Sequence, residues 1–90
     1  MRVETRKLLF GITKRTWVCD ARLESAEFHE RQSPGRTVVV HRSTKAPGKW
    51  QTSYFDDQGA ISDRQSPSCR EALADLPPSR WRLRDVKPMR

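Results

Sequence analysis

The sequence predicts an α+β fold: a small antiparallel sheet of about four or five strands with one helix, about Pro67–Leu76, packed on one face. Three observations carry this. A β-branched run, Thr37-Val38-Val39-Val40, leads through a turn signal, Lys45-Ala46-Pro47-Gly48, into a second strand-like run from Trp50 to Phe55. A polar turn, Asp56-Asp57-Gln58-Gly59, then opens a short run, Ala60-Ile61-Ser62. A capped segment with helical periodicity closes the unit. Extended runs bounded by Pro, Gly and Asp clusters are the pattern of hairpins.

From the N-terminus, Met1 to Lys7 is polar and basic and reads as a loose start. Leu8 to Ile12 is ambiguous. Leu8, Phe10 and Ile12 alternate as in a strand, whereas Leu8, Leu9 and Ile12 suit one face of a helical turn, and Gly11 weakens both readings. Thr13-Lys14-Arg15 reads as a basic turn. From Thr16 the alternation improves: Trp17, Cys19, Ala21 and Leu23 share a face opposite Val18, Asp20 and Arg22, the period of a half-buried strand. Glu24 to Gln32 contains good helix formers, and Asp20 offers a cap. Its apolar residues, with Leu23, Ala26 and Phe28, make a poor 3.6-residue stripe, so strands joined by turns are the favoured reading. Ser33-Pro34-Gly35 is a tight connection into the valine run.

In Arg36 to Arg42 both faces carry apolar weight, which predicts a central strand. Pro47-Gly48 suits a turn, because proline presets φ and glycine accepts positive φ. Two N-caps compete for the helix: Ser66 before Pro67, and Ser68 in the capping box Ser68-Cys69-Arg70-Glu71. Cys69, Ala72, Leu73 and Leu76 follow i, i+3, i+4, i+7 spacing and predict a core-facing stripe. Pro77-Pro78 stops the helix. Ser79 to Val86 alternates again, with Trp81 and Leu83 opposite Arg80, Arg82 and Arg84. One small domain over 1–90 is expected, with loose ends at about 1–7 and 87–90.

Ninety residues with 34% apolar content and a mean hydropathy of −0.86 permit only a modest core, in which aromatic side chains supply much of the buried area. No apolar run approaches the length of a membrane span, nor is there a signal-peptide pattern, so a cytoplasmic protein is expected, in a host cytoplasm if phage-encoded. Cys19 and Cys69 are far apart, and with His29 and His41 they give no metal-ligand spacing. They read as buried free thiols without chemical duty. No metal or cofactor is expected.

The formal net charge is +7, and arginine outnumbers lysine. Such a chain attracts nucleic acid or an acidic protein surface, and guanidinium groups grip phosphate or carboxylate with two hydrogen bonds. Arg80, Arg82 and Arg84 would stand in a row on one strand face, about 6.6 Å apart. The bland alternative is the solvated face of an edge strand. Arg42, Lys45 and Lys49, with His41, surround the Pro47-Gly48 tip beside Trp50 and Tyr54, a cation-plus-aromatic arrangement suited to nucleic acid. Trp50 itself is read as core. Asp56, Asp57 and Asp63 lack the calcium-loop spacing and read as turn residues. No nucleophile elbow, Cys/His pair or phosphate-cradling glycine loop is present, so no enzymatic activity and no small-molecule substrate are expected.

The order strand, strand, strand, helix, with Gly48-Lys49-Trp50 opening the second strand and Arg70-Glu71-Ala72-Leu73 in the helix, resembles the three-stranded DNA-binding domains of certain plant transcription factors and of phage-type integrases. The likeness covers about the middle half of the chain and implies a basic sheet laid in the major groove. That family's arginine pattern over all three strands is not reproduced, so no functional residue is carried over. Non-catalytic nucleic-acid binding ranks first. A phage or mobile-element protein that binds and inhibits a host protein, of the anti-CRISPR or anti-restriction type, is the alternative. A subunit of a ribonucleoprotein or phage particle is third.

Overall fold

The computed structural model describes residues 1–33 and 35–90. It is mostly β. Seven strands, β1 (Arg2–Lys7), β2 (Thr13–Val18), β3 (Leu23–Glu30), β4 (Thr37–Arg42), β5 (Trp50–Asp56), β6 (Gly59–Ser66) and β7 (Trp81–Pro88), accompany one short helix, α1 (Cys69–Ala74). β1 and β2 form a two-stranded sheet of their own. The others form a five-stranded antiparallel sheet in the order β6-β5-β4-β3-β7. The predicted sheet and helix are both present, but strands dominate more than a helix-on-sheet plan suggests.

β4 is central, as its three valines require: Val38 and Val40 are fully buried on one face, and Val39 is half-buried on the other. The Glu24 to Gln32 ambiguity resolves as strand. β3 alternates buried and less buried residues from Ala26 to Glu30, with Ala26 opposite Val40 and Phe28 opposite Val38. Gly48 sits at φ 81° in the β4–β5 turn, the conformation that glycine tolerates. The Ser33-Pro34-Gly35 connection includes Pro34, which lies outside the described residues. β6 extends well past the expected Ala60-Ile61-Ser62 run.

The helix is shorter than Pro67–Leu76. Ser68 wins the competition between caps: its hydroxyl accepts the backbone N–H of Glu71 at 3.2 Å, which satisfies one of the orphan donors of the first turn. Ser66 instead ends β6. The predicted stripe is buried as expected, with Cys69, Ala72, Leu73 and Leu76 in one core with Leu23, Phe28, Val38, Val40, Trp50 and Trp81. All of this core lies on one face of the large sheet. The other face, carrying Glu27, His29, Val39, His41 and Gln51, is half-buried and is covered by no described element.

Two expectations at the N-terminus are corrected. Residues 1–7 are not a loose start, and Thr13-Lys14-Arg15 is not a turn. They pair as β1 and β2 in unbroken register from Arg2–Val18 to Lys7–Thr13. At the C-terminus, Lys87 and Pro88 belong to β7, and the Met89 N–H donates to the Arg22 carbonyl at 2.7 Å. The cysteines are also corrected. Cys19 and Cys69 are joined in a disulfide across 50 residues, with Cα atoms 6.4 Å apart, inside the range a disulfide spans. Sequence distance concealed the pairing: β2 returns its end to the start of α1. The cytoplasmic expectation rests on the lack of a membrane run and of a signal-peptide pattern, whereas a disulfide is more usual in an oxidising compartment. Among the described residues no helix is long and apolar enough to cross a membrane.

Candidate functional site

The β1–β2 hairpin carries little apolar patterning, and it becomes an arm. A six-residue strand spans roughly 20 Å. Only the base of the arm is packed against the body: Met1, Trp17 and Cys19 lean on the core, and Trp17 meets Phe28 edge-on with ring centroids 5.4 Å apart. The N-terminal ammonium donates to Asp20 at 2.7 Å, and the disulfide ties the end of β2 to α1.

At the far end the chain turns through a single 3-10 turn, Leu9–Gly11, closed by the Leu8 N–H donating to the Ile12 carbonyl at 2.6 Å. Phe10 occupies the left-handed region at φ 66°, where a bulky side chain is an outlier. The turn leaves Leu9 81%, Phe10 97% and Ile12 59% exposed. The ambiguous Leu8–Ile12 run is thus neither strand nor α-helix but an uncovered apolar tip.

Cations flank it. Residues 1–18 hold Arg2, Arg6, Lys7, Lys14 and Arg15 against a single acid, Glu4, which leaves the arm a formal +4 of the chain's +7. Arg6 stands directly opposite Lys14 in the ladder, a like-charge pairing that costs stability. Among the described residues the one ion pair between arm side chains, Arg6 Nε to Glu4 at 3.5 Å, joins two solvent-exposed groups and is worth little. Between arm and helix runs a groove of about 430 Å³, lined by Arg6 and Lys14 from the arm and Arg70 from α1, with Glu4 as its acid and Trp17 and Leu73 among its apolar residues. Trp17 Nε1 is buried with no hydrogen-bond partner among the described residues.

The six cations singled out from sequence are dispersed, and three of them, Arg80, Arg84 and Arg42, are engaged. Arg80 precedes β7, and its guanidinium contacts the buried Glu30 carboxylate at 3.1 and 3.2 Å while lying 5.8 Å from the Trp81 ring centroid. Arg84 reaches Glu27 at 3.6 Å. The register of β7 against β3 shifts between Glu27 and Phe28, which leaves Arg84 between the paired Leu83 and Asp85, so a regular three-arginine row is not formed. Arg82 is exposed opposite His29. Arg42 donates to the Leu23 carbonyl at 3.0 Å and stacks 4.9 Å from the ring centroid of Trp50, a buried core residue. Lys45 and Lys49 are exposed near the β4–β5 turn. Asp56 shapes its turn by accepting the Gln58 N–H at 2.8 Å. Asp63 lies opposite Ser53 in the β5–β6 ladder, and hydrogen bonds from Ser53 and then Gln51 hold its carboxyl below the usual carboxylate range. Among the described residues no group of three or more His, Cys, Asp or Glu is placed to hold a metal ion.

The arm residues Arg2, Arg6, Lys7, Lys14 and Arg15 were not legible as a site in the sequence. Five cations against one acid in residues 1–18 did not set the segment apart, since residues 79–90 carry the same ratio in 12 residues and residues 31–49 carry five cations and no acid. No protein-family model matches the chain, and neither a curated protein nor a solved structure matches it.

Proposed function

We propose that this chain is a non-catalytic nucleic-acid-binding protein that holds the phosphate backbone with the β1–β2 arm and the groove beside α1. The observation that carries the reading is the placement of charge. On the body, several of the cations expected to bind are occupied by Glu30, Glu27 or a backbone carbonyl. On the arm, Arg6 and Lys14 oppose one another and Lys7 and Arg15 flank them, with Glu4 alone in answer. A polyanion relieves that repulsion. A two-stranded ribbon also has the width to enter a nucleic-acid groove.

The test is duplex binding by fluorescence anisotropy across a salt series. If each arm cation meets one phosphate, Arg6→Ala, Lys14→Ala and Arg15→Ala should each lower the logarithmic salt slope by about 0.9. Arg82→Ala, Lys45→Ala and Lys49→Ala report whether the exposed body cations add to the contact. Binding that ignores salt and survives the triple arm variant eliminates the reading. The alternative, a phage or mobile-element inhibitor docking on a host protein, draws on the exposed apolar tip. It predicts a nuclease-resistant stoichiometric partner and a steep loss from one tip residue.

A further inference from the structure

We infer that the Leu9–Phe10 tip is a wedge that enters the minor groove of a duplex and unstacks a base step, while the cations of the arm lie along the flanking phosphates. The inference rests on the nucleic-acid reading above and specifies its duplex form. Leu9 and Phe10 are 81% and 97% exposed, they occupy the last turn of a projecting ribbon, and the left-handed backbone at Phe10 fixes a conformation that the residue does not adopt for its own comfort. An apolar tip on a basic arm has the composition of side chains that pry base steps apart, Phe and Leu among them.

The distribution of charge selects the occupant. A planar anionic membrane pierced by the tip first meets the cations close behind it, Lys7, Arg6 and Lys14. The arm carries its cations back to Arg15 and Arg2, with Arg70 continuing the series on the helix side of the groove. A linear polyanion running beside the arm reaches all of them. The base of the arm is also built to resist load. The Cys19–Cys69 disulfide, the N-terminal ammonium on Asp20 and the Trp17–Phe28 contact hold it against the body. A preorganised wedge spends no binding energy on ordering itself. Single-strand binding would instead call for a succession of aromatic platforms, and the arm offers one exposed phenyl ring among aliphatic side chains.

The experiment uses the whole oxidised chain and a short duplex carrying 2-aminopurine at a flexible pyrimidine–purine step, with donor and acceptor dyes at its ends. The parent protein should raise the 2-aminopurine fluorescence and shorten the end-to-end distance. Phe10→Ser should abolish both changes and weaken binding about tenfold, with the salt slope unchanged because no phosphate contact is lost. Phe10→Trp should retain them. Circular dichroism and the thermal midpoint verify that each variant is folded, as expected for an exposed position. A duplex that binds without unstacking, or equally well to Phe10→Ser, overturns the wedge and leaves the nucleic-acid reading standing. Failure to bind duplex overturns the wedge, and failure to bind a single strand of the same sequence as well overturns both. Phe10-dependent binding to phosphatidylserine vesicles in that case would assign the tip to an anionic membrane.

Discussion

In the five-stranded body an exposed arginine often has a carboxylate or carbonyl to meet it; on the β1–β2 arm it seldom does. The body holds 13 Lys and Arg against ten Asp and Glu, the arm five against one. Arg80 lies on Glu30, Arg84 on Glu27, and Arg64 on Asp75 near the end of α1. Apolar residues divide in the same way. In the body Phe28, Leu23 and Leu76 are among the most deeply buried side chains, while Leu9 and Phe10 on the arm are largely open to solvent. The comparison shows where each region draws its stability. The body is held by burial, and the arm by a backbone ladder and three attachments at its base.

The largest expected effect tests those attachments. Replacing Cys19 and Cys69 together by Ser opens a loop of 50 residues, and chain-entropy arithmetic for such a loop gives about 4 kcal/mol of lost stability. Urea denaturation of the oxidised parent and the double variant measures it. An unchanged midpoint would show that the Trp17 packing and the Met1–Asp20 ion pair secure the arm without the disulfide.

The second test sets one buried leucine against one exposed aromatic. Leu73→Ala removes a side chain that is 3% exposed and should cost about 3 kcal/mol, a large share of the stability of so small a fold. Phe10→Ala removes more atoms and should move the thermal midpoint hardly at all, by about 0.5 kcal/mol or less. Equal losses would mean that the tip packs in solution and that the contrast between arm and body is false.

The sequence revealed the body better than the arm, and burial explains why. Where one face meets a core, selection of apolar residues writes a period into the chain, and Cys69, Ala72, Leu73 and Leu76 were readable for that reason. β4 was readable because apolar residues on both faces mark a central strand. β1 and the start of β2 pack against little. Val3-Glu4-Thr5-Arg6-Lys7 therefore carries no alternation, and its pairing depends on backbone hydrogen bonds that every sequence can make. Edge strand β6 is exposed over all but Ser66, so only its glycine turn announced it. β3 was obscured differently. A register shift between Leu23 and Ser25 puts Leu23, at an odd position, and Ala26, at an even one, into the same core. An alternation counted from Trp17 therefore arrives out of phase. Glu30 occupies an inward position that composition would assign to an apolar residue, and Arg80, 50 residues later, makes it tolerable. The candidate site was illegible for a related reason: charge on an unpatterned segment looks like an unstructured end until the ladder fixes it.

The third expected effect separates arginines that looked alike. Arg80→Ala leaves the Glu30 carboxylate, 7% exposed, without its cation. A buried acceptor so abandoned costs about 1–3 kcal/mol, and the 60% exposure of the Arg80 side chain places the expected loss at the low end. Arg82→Ala should stay within about 0.5 kcal/mol. Thermal unfolding of the two single variants decides it. Equal and negligible changes would restore the arginine row as a purely external feature.

The smallest effect in stability is the most informative about function. Lys14 faces Arg6 across the ladder, and like charges directly opposite one another destabilise a strand pair by about 0.2–1 kcal/mol. Lys14→Thr removes that repulsion and supplies a residue that favours strands. The variant should therefore unfold slightly later than the parent, by a few tenths of a kcal/mol in free energy. If the arm is the nucleic-acid grip, the same change should weaken duplex binding and lower the salt slope by about 0.9. Stability and binding would then move in opposite directions from one substitution, the trade-off expected where a local cost is maintained for function. Should Lys14→Thr destabilise the chain while leaving binding intact, the pair would be a structural contact with Glu4 or the groove, and the distinction between arm and body would rest on the apolar tip alone.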